Sequence, residues 1–141
     1  MDNLGETTTE WIDLTKWTNI YNRAKEFFKK KWNVIKRESW QEIRITNTWI
    51  KKNIHEAYTK KNPAIKENFA AFELLPQVLK DGKLVNIAYN RKWYWADTYM
   101  YAAPVIIDDK RYICTVAVNN KIWWDDFTYY LHEVGKDIDW Q

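Results

Sequence analysis

Residues Leu74 to Tyr89 read LLPQVLKDGKLVNIAY, and the hydrophobic period of the chain changes inside this stretch. Before Gly82 the apolar residues recur every three or four positions, as on one face of a helix; after it they run in the β-branched and aromatic pattern of strands. Lys80-Asp81-Gly82 ends the helix with a glycine. Upstream, Ile65, Phe69, Phe72, Leu75 and Leu79 form the inward stripe of that helix. Pro76 bends or interrupts it, and Asn62-Pro63 supplies a cap and a first-turn proline. Further back, Asn47 caps a helix whose inward stripe is Ile50, Ile54, Ala57 and Tyr58. Trp17, Ile20, Tyr21, Ala24, Phe27, Phe28 and Trp32 mark a first amphipathic helix within residues 9–32. Between these two, Val34-Ile35 and Ile43-Arg44-Ile45 either pair as a small hairpin or lead into the next helix.

Downstream, Leu84–Tyr89, Trp93–Trp95, Tyr99–Ile107, Tyr112–Val118 and Phe127–Val134 read as strands of a sequential antiparallel meander, separated by Asn-Arg-Lys, Asp-Asp-Lys and Asn-Asn-Lys turns. The expected fold class is α+β: about three N-terminal helices followed by a four- or five-stranded antiparallel sheet. Strand parity places Thr128, Tyr130, His132 and Val134 on one face of the last strand, opposite Phe127, Tyr129, Leu131 and Glu133.

The 141 residues make one domain by length, and 46% hydrophobic and 17% aromatic residues are enough for a packed core. Gly5, Gly82 and Gly135 lie too far apart for a glycine-rich phosphate loop, which excludes P-loop and dinucleotide enzymes. Ser39, the only serine, lacks the glycines of a nucleophile elbow, and the lone Cys114 excludes an intrachain disulfide or a multi-cysteine zinc site. No apolar run approaches the ~18 residues of a membrane span. The acidic, polar start MDNLGETTTE is unlike a signal peptide, so a cytoplasmic address is expected.

The net charge of +3 conceals a strong asymmetry. Residues 16–66 carry fourteen Lys and Arg against four acids, while residues 1–15 carry four acids and no base. Such a stretch attracts nucleic acid or another acidic partner; it equally solvates exposed helix faces. Lys51, Lys52 and His55 fall three and four residues apart, opposite the Ile50/Ile54 stripe, which sets an imidazole among cations. Metal-free RNA cleavage needs a base for the 2′-hydroxyl, an acid for the leaving oxygen and fixed cations for the phosphate. His132, His55, Lys51, Lys52, Arg91 and Lys92 supply those types. A strand histidine is also a common hydrogen-bonded core residue. A magnesium site would draw on Asp108-Asp109 or Asp125-Asp126 with His132 or Glu133, but both pairs fall in expected turns, where Asp has local work; no metal or cofactor is expected. Arg91-Lys92-Trp93-Tyr94-Trp95 interleaves cations with aromatics, suited to stacking bases or docking a protein.

Three segments in order, Leu75-Pro76-Gln77-Val78-Leu79-Lys80-Asp81-Gly82-Lys83-Leu84-Val85, Tyr101 to Tyr112 and Tyr129-Tyr130-Leu131-His132-Glu133-Val134, carry a family resemblance, with Ile43 to Thr46 and Ile50 to His55 similar to the family's strand-then-helix segment. Together they resemble phage and mobile-element domains of large polyvalent proteins and phage-head toxins, in the barnase, EndoU, colicin E5/D and RelE-like nuclease fold group. The resemblance covers residues 43–135 and makes 1–42 a helical N-terminal extension. It implies metal-independent RNA cleavage or RNA binding in a host bacterial cell. The matching positions are Lys51, Lys52 and His55 on the helix and His132 with Tyr130 on the last strand. Two functions follow as expectations. One is a ribonuclease-like toxin with His132, His55, Lys51 and Tyr130 as its catalytic set and Lys52, Arg91, Lys92, Trp93 and Trp95 on the RNA. The other is a non-enzymatic anti-defence protein whose basic and aromatic surface, with Trp93, Tyr94, Trp95, Trp123 and Trp124 as contacts, occupies a host protein or a nucleic-acid complex. The partners expected are RNA or other nucleic acid, with a host defence protein or a cognate immunity protein as the protein alternatives, and no membrane.

Overall fold

The computed structural model describes residues 3–30, 33–38, 40–60, 64–89, 96–121 and 126–136. In chain order they form β1 (Glu6–Thr7), α1 (Trp17–Lys30), β2 (Val34–Glu38), β3 (Gln41–Arg44), α2 (Asn47–Thr59), α3 (Ile65–Ala70), a 3₁₀ turn (Ala71–Leu74), α4 (Leu75–Asp81), β4 (Lys83–Ala88), β5 (Ala96–Ile107), β6 (Lys110–Lys121) and β7 (Asp126–Lys136). The class is α+β, and the change of period falls at Gly82. The expected strand Trp93–Trp95 and the Asn62-Pro63 cap lie outside the described residues.

The meander is present: β4, β5, β6 and β7 pair antiparallel in sequence. Asp108 and Asp109 make the tight β5–β6 turn with positive φ of 52° and 64°, a conformation that Asp tolerates better than most residues. The Asp108 carboxylate accepts the Thr9 N–H at 2.8 Å and the Thr9 hydroxyl at 2.5 Å. Those bonds favour its charged form and hold its pKa below the ordinary value.

The sheet itself is larger and more mixed than the sequence suggests. Among the described residues it has seven strands in the order β1-β5-β6-β7-β3-β2, with β4 on the β5 edge that β1 also uses. Two contacts are parallel, β1 with β5 (Glu6 opposite Ile106) and β3 with β7 (Ile43 opposite Phe127). The expectation of four or five antiparallel strands after the helices is corrected accordingly. Three strands come from the N-terminal half, and the short pieces around Glu38 do pair, as the β2–β3 hairpin between α1 and α2.

The third helical run, Ile65 to Asp81, is broken where Pro76 requires it. Pro76 has no N–H to offer the Phe72 carbonyl four residues back, and the Leu75 N–H takes that carbonyl instead, tightening the chain into the 3₁₀ turn. Gly82 ends the run, but not through a left-handed conformation: its φ is −65°. A Cβ there would sit 2.4 Å from the Val78 carbonyl oxygen, which explains the glycine by close approach.

The helices cover one face of the sheet, where Ile35, Ile43, Tyr101, Val105, Cys114, Val116, Phe127 and Tyr129 meet Ile54, Phe69, Phe72, Leu75 and Leu79 in one core. Arg37 closes its border. Nη1 donates to the Leu79 carbonyl at 3.1 Å, and the guanidinium lies 4.2 Å above the Tyr101 ring. Gln41 Nε2 donates to the Tyr101 hydroxyl at 2.8 Å.

Parity along β7 fails at one place. Ala117 is opposite Leu131 and Val118 opposite Tyr129, so Tyr130 is the extra residue of a β-bulge. Past it the faces exchange, and His132 and Val134 are buried on the same side as Phe127 and Tyr129. Tyr130 and His132 therefore do not share a face. Among the described residues no helix is long and apolar enough to cross a membrane.

Candidate nucleic-acid interface

α2 decides where the cations go. Thr46, one residue before the expected cap, is its N-cap, and its side chain accepts the Trp49 N–H at 3.5 Å. Ile50, Ile54 and Ala57 turn inward and are buried. The same 3.6-residue period turns Lys51, Lys52 and His55 outward, and all three are exposed.

The bulge brings β7 to this helix. The Asn53 amide donates to the Trp49 carbonyl at 2.7 Å and to the Tyr130 carbonyl at 2.9 Å, binding α2 to the bulged residue. The Trp49 and Tyr130 rings meet edge to face with centroids 4.7 Å apart, and Lys52 Nζ lies 4.6 Å from the Trp49 ring centre. From the other side α1 contributes Tyr21 and Trp17, the latter 46% exposed. Trp17, read in the sequence as part of the apolar stripe, is thus surface on a groove wall.

The result is an open groove of about 780 Å³ lined by Trp17, Tyr21, Trp49, Lys51, Lys52, His55 and Tyr130, among others. Asn47, Thr48 and Glu56 also line it, with Glu56 carrying Lys60 as an ion partner at 3.7 Å. Of the sequence candidates, Lys51, Lys52, His55 and Tyr130 are brought together. Arg91, Lys92, Trp93 and Trp95, like Tyr94, Trp123 and Trp124, lie outside the described residues.

His132 is elsewhere. It is 2% exposed, packed edge-on against Phe72 with ring centroids 4.7 Å apart. The Asn68 carbonyl, 2.7 Å from Nε2, can only accept, so Nε2 carries the proton and Nδ1 accepts the Tyr129 hydroxyl at 2.5 Å. Burial disfavours the imidazolium and pushes the pKa down to about 4, against a smaller opposing effect of the Asn68 carbonyl. A cleft of about 250 Å³ between α2, α3 and β7 touches His132, Asn68, Asn53 and Glu133, but both imidazole nitrogens are already engaged.

Cys114 is buried, and desolvation pushes its thiol up to about 12, which keeps it protonated and unreactive. Among the described residues no cluster of His, Cys, Asp and Glu has the makings of a metal site. Trp49, Trp17, Tyr21 and Asn53 were absent from the sequence candidates. Trp49 had a usable signal, three residues before Lys52 and so beside it on a helix. Tyr21 sits four residues after Trp17, but both fit an ordinary core stripe. No family model, no curated protein and no solved structure matches this chain.

Proposed function

We propose that this chain binds single-stranded nucleic acid, RNA foremost, in the groove over α2, as a non-enzymatic binding protein. One observation carries the reading: two lysines with no acidic partner among the described residues share a single open groove with an imidazole, Trp17, Trp49 and Tyr130. Single-strand binders combine cations for the phosphates with aromatic faces for the bases, each stacked base contributing about 1–3 kcal/mol. An ordinary solvated helix face has the lysines without the aromatics. Fluorescence anisotropy of a labelled unstructured RNA tests it, with Lys51→Glu/Lys52→Glu and Trp49→Ala beside the parent protein. Binding that weakens with salt and falls in both variants supports the proposal; binding unchanged in both refutes it.

A second reading, metal-independent RNA cleavage, draws on a narrower observation. His55, Lys51, Lys52 and Tyr130 line the same groove, so one imidazole and two cations are near one another. In that reading His55 takes the proton of the 2′-hydroxyl as its oxygen bonds to phosphorus, the lysines hold the phosphate, and the P–O5′ bond breaks as the Tyr130 hydroxyl gives its proton to the leaving 5′-oxygen. His132, neutral and doubly hydrogen-bonded, has no step. The sequence resemblance to phage toxins of the nuclease fold group speaks for this reading. RNA incubated with the protein in EDTA decides it: cleavage lost in His55→Ala supports it, and intact RNA refutes it while leaving binding to stand.

A further inference from the structure

A second groove, of about 670 Å³, adjoins the first at Asn47, which lines both. Its walls include Lys25 and Lys29 of α1 and Arg44 of β3, with Glu42 as its one acid among the described lining residues. Trp17, Tyr21, Lys25 and Lys29 follow one another at four-residue spacing on α1, a single slowly winding stripe. The aromatic half of that stripe lines the first groove and the basic half lines the second. Lys25 marks the junction, its Nζ 5.6 Å from the centre of the Tyr21 ring.

Three of the described basic residues are tied down and line neither groove. Arg23 is tied to Glu73 at 2.8 Å and stacks on Trp11, Arg37 is tied to the Leu79 carbonyl, and Lys60 pairs with Glu56. Among the described residues Lys25, Lys29, Arg44, Lys51 and Lys52 have no acidic partner and line one or other of the two grooves; other lysines without one, Lys16, Lys36, Lys66 and Lys83 among them, line neither.

Resting on the binding reading above, we infer that the ligand is an oligonucleotide strand and not a mononucleotide or a short end. Its bases occupy the aromatic groove and its backbone continues past Asn47 along Lys25, Lys29 and Arg44. The stripe from Trp17 to Lys29 rises ~18 Å at 1.5 Å per residue, room for on the order of four nucleotides, the low end of single-strand site sizes. Charge complementarity selects this occupant: five cations with no acidic partner among the described residues, on two grooves joined at Asn47, fit a chain of evenly spaced phosphates.

The test is anisotropy with labelled oligouridylates of about two nucleotides, the length of the aromatic half alone, and of about twelve, measured between about 50 and 200 mM salt. The proteins are the parent, Lys25→Glu/Lys29→Glu/Arg44→Glu and Lys51→Glu/Lys52→Glu, with circular dichroism to verify folding. Should the triple reversal disturb the fold, Lys25→Gln/Lys29→Gln/Arg44→Gln replaces it. Removing three phosphate contacts is expected to weaken the long strand at least tenfold and to reduce its log–log salt slope by about 2, at ~0.7 per contact on a single strand. The short strand, held in the aromatic groove, changes little. An unchanged affinity and slope for the long strand, with Lys51→Glu/Lys52→Glu still abolishing binding, overturns the extended path and leaves the aromatic groove as the site. Failure of the parent to bind either strand overturns the path and the binding reading together.

Discussion

Acidifying the solution should weaken the fold through His132, and the size of the effect follows from its surroundings. In the folded chain its pKa is pushed down to about 4 by burial, and in the unfolded chain it returns to its ordinary value of 6.5. Above pH 6.5 the group is neutral in both states and its contribution is fully present. Between 6.5 and 4 the unfolded chain binds a proton that the folded chain refuses, so stability falls by about 1.4 kcal/mol per pH unit. Below 4 both states are protonated and the loss levels off at about 3 kcal/mol, a large part of a small domain's stability. Urea unfolding followed by tryptophan fluorescence, from pH 7.5 to 4, measures this against His132→Gln, which keeps an amide near the Asn68 carbonyl and removes the titration. Every other ionisable group is common to the two proteins, so the difference between the two curves isolates His132. The parent should lose about 3 kcal/mol more than the variant across this range. Parallel curves would refute a buried neutral imidazole at this position.

Substitutions at three further residues probe the joints of the structure. Gly82→Ala forces a methyl group to within 2.4 Å of the Val78 carbonyl and should destabilise by about 1–3 kcal/mol, read from the urea midpoint. Arg37→Ala removes both the bond to the Leu79 carbonyl and the stacking on Tyr101, for about 1–3 kcal/mol by the same measurement. Asn53→Leu unpairs the Tyr130 carbonyl at the bulge and should lower stability by about 1–2 kcal/mol in thermal unfolding while weakening RNA binding; Asn53→Gln should not restore the pair of short bonds.

How much of this was legible in the sequence depends on how local each feature is. The outward set Lys51, Lys52 and His55 and the inward set Ile50, Ile54, Ala57 and Tyr58 follow from one helical period; the structure exposes the first set and buries the second, with Tyr58 half-buried on the groove. The β5–β6 turn follows from Asp108-Asp109, and the break at Pro76 from its missing N–H. The parallel pairings of β1 with β5 and β3 with β7 join segments far apart in the chain, with no local signature. The bulge at Tyr130 was hidden for a related reason. Tyr129, Tyr130 and Leu131 all suit a strand, and no glycine or proline marks the extra residue. That one insertion takes His132 into the core and leaves Tyr130 against Trp49, so it separates two candidates that simple alternation had joined. Trp17 was misplaced because a helical stripe does not show where its partner surface ends.

Mapping amide and indole resonances during titration with an unstructured RNA tests most directly whether nucleic acid binds in the groove over α2. The expected result is that backbone amides of α2 from Asn47 to Glu56 and the indole N–H groups of Trp17 and Trp49 shift together and saturably, with the core around His132 unmoved. Shifts confined to the sheet face away from the helices, or no shifts at all, would contradict it.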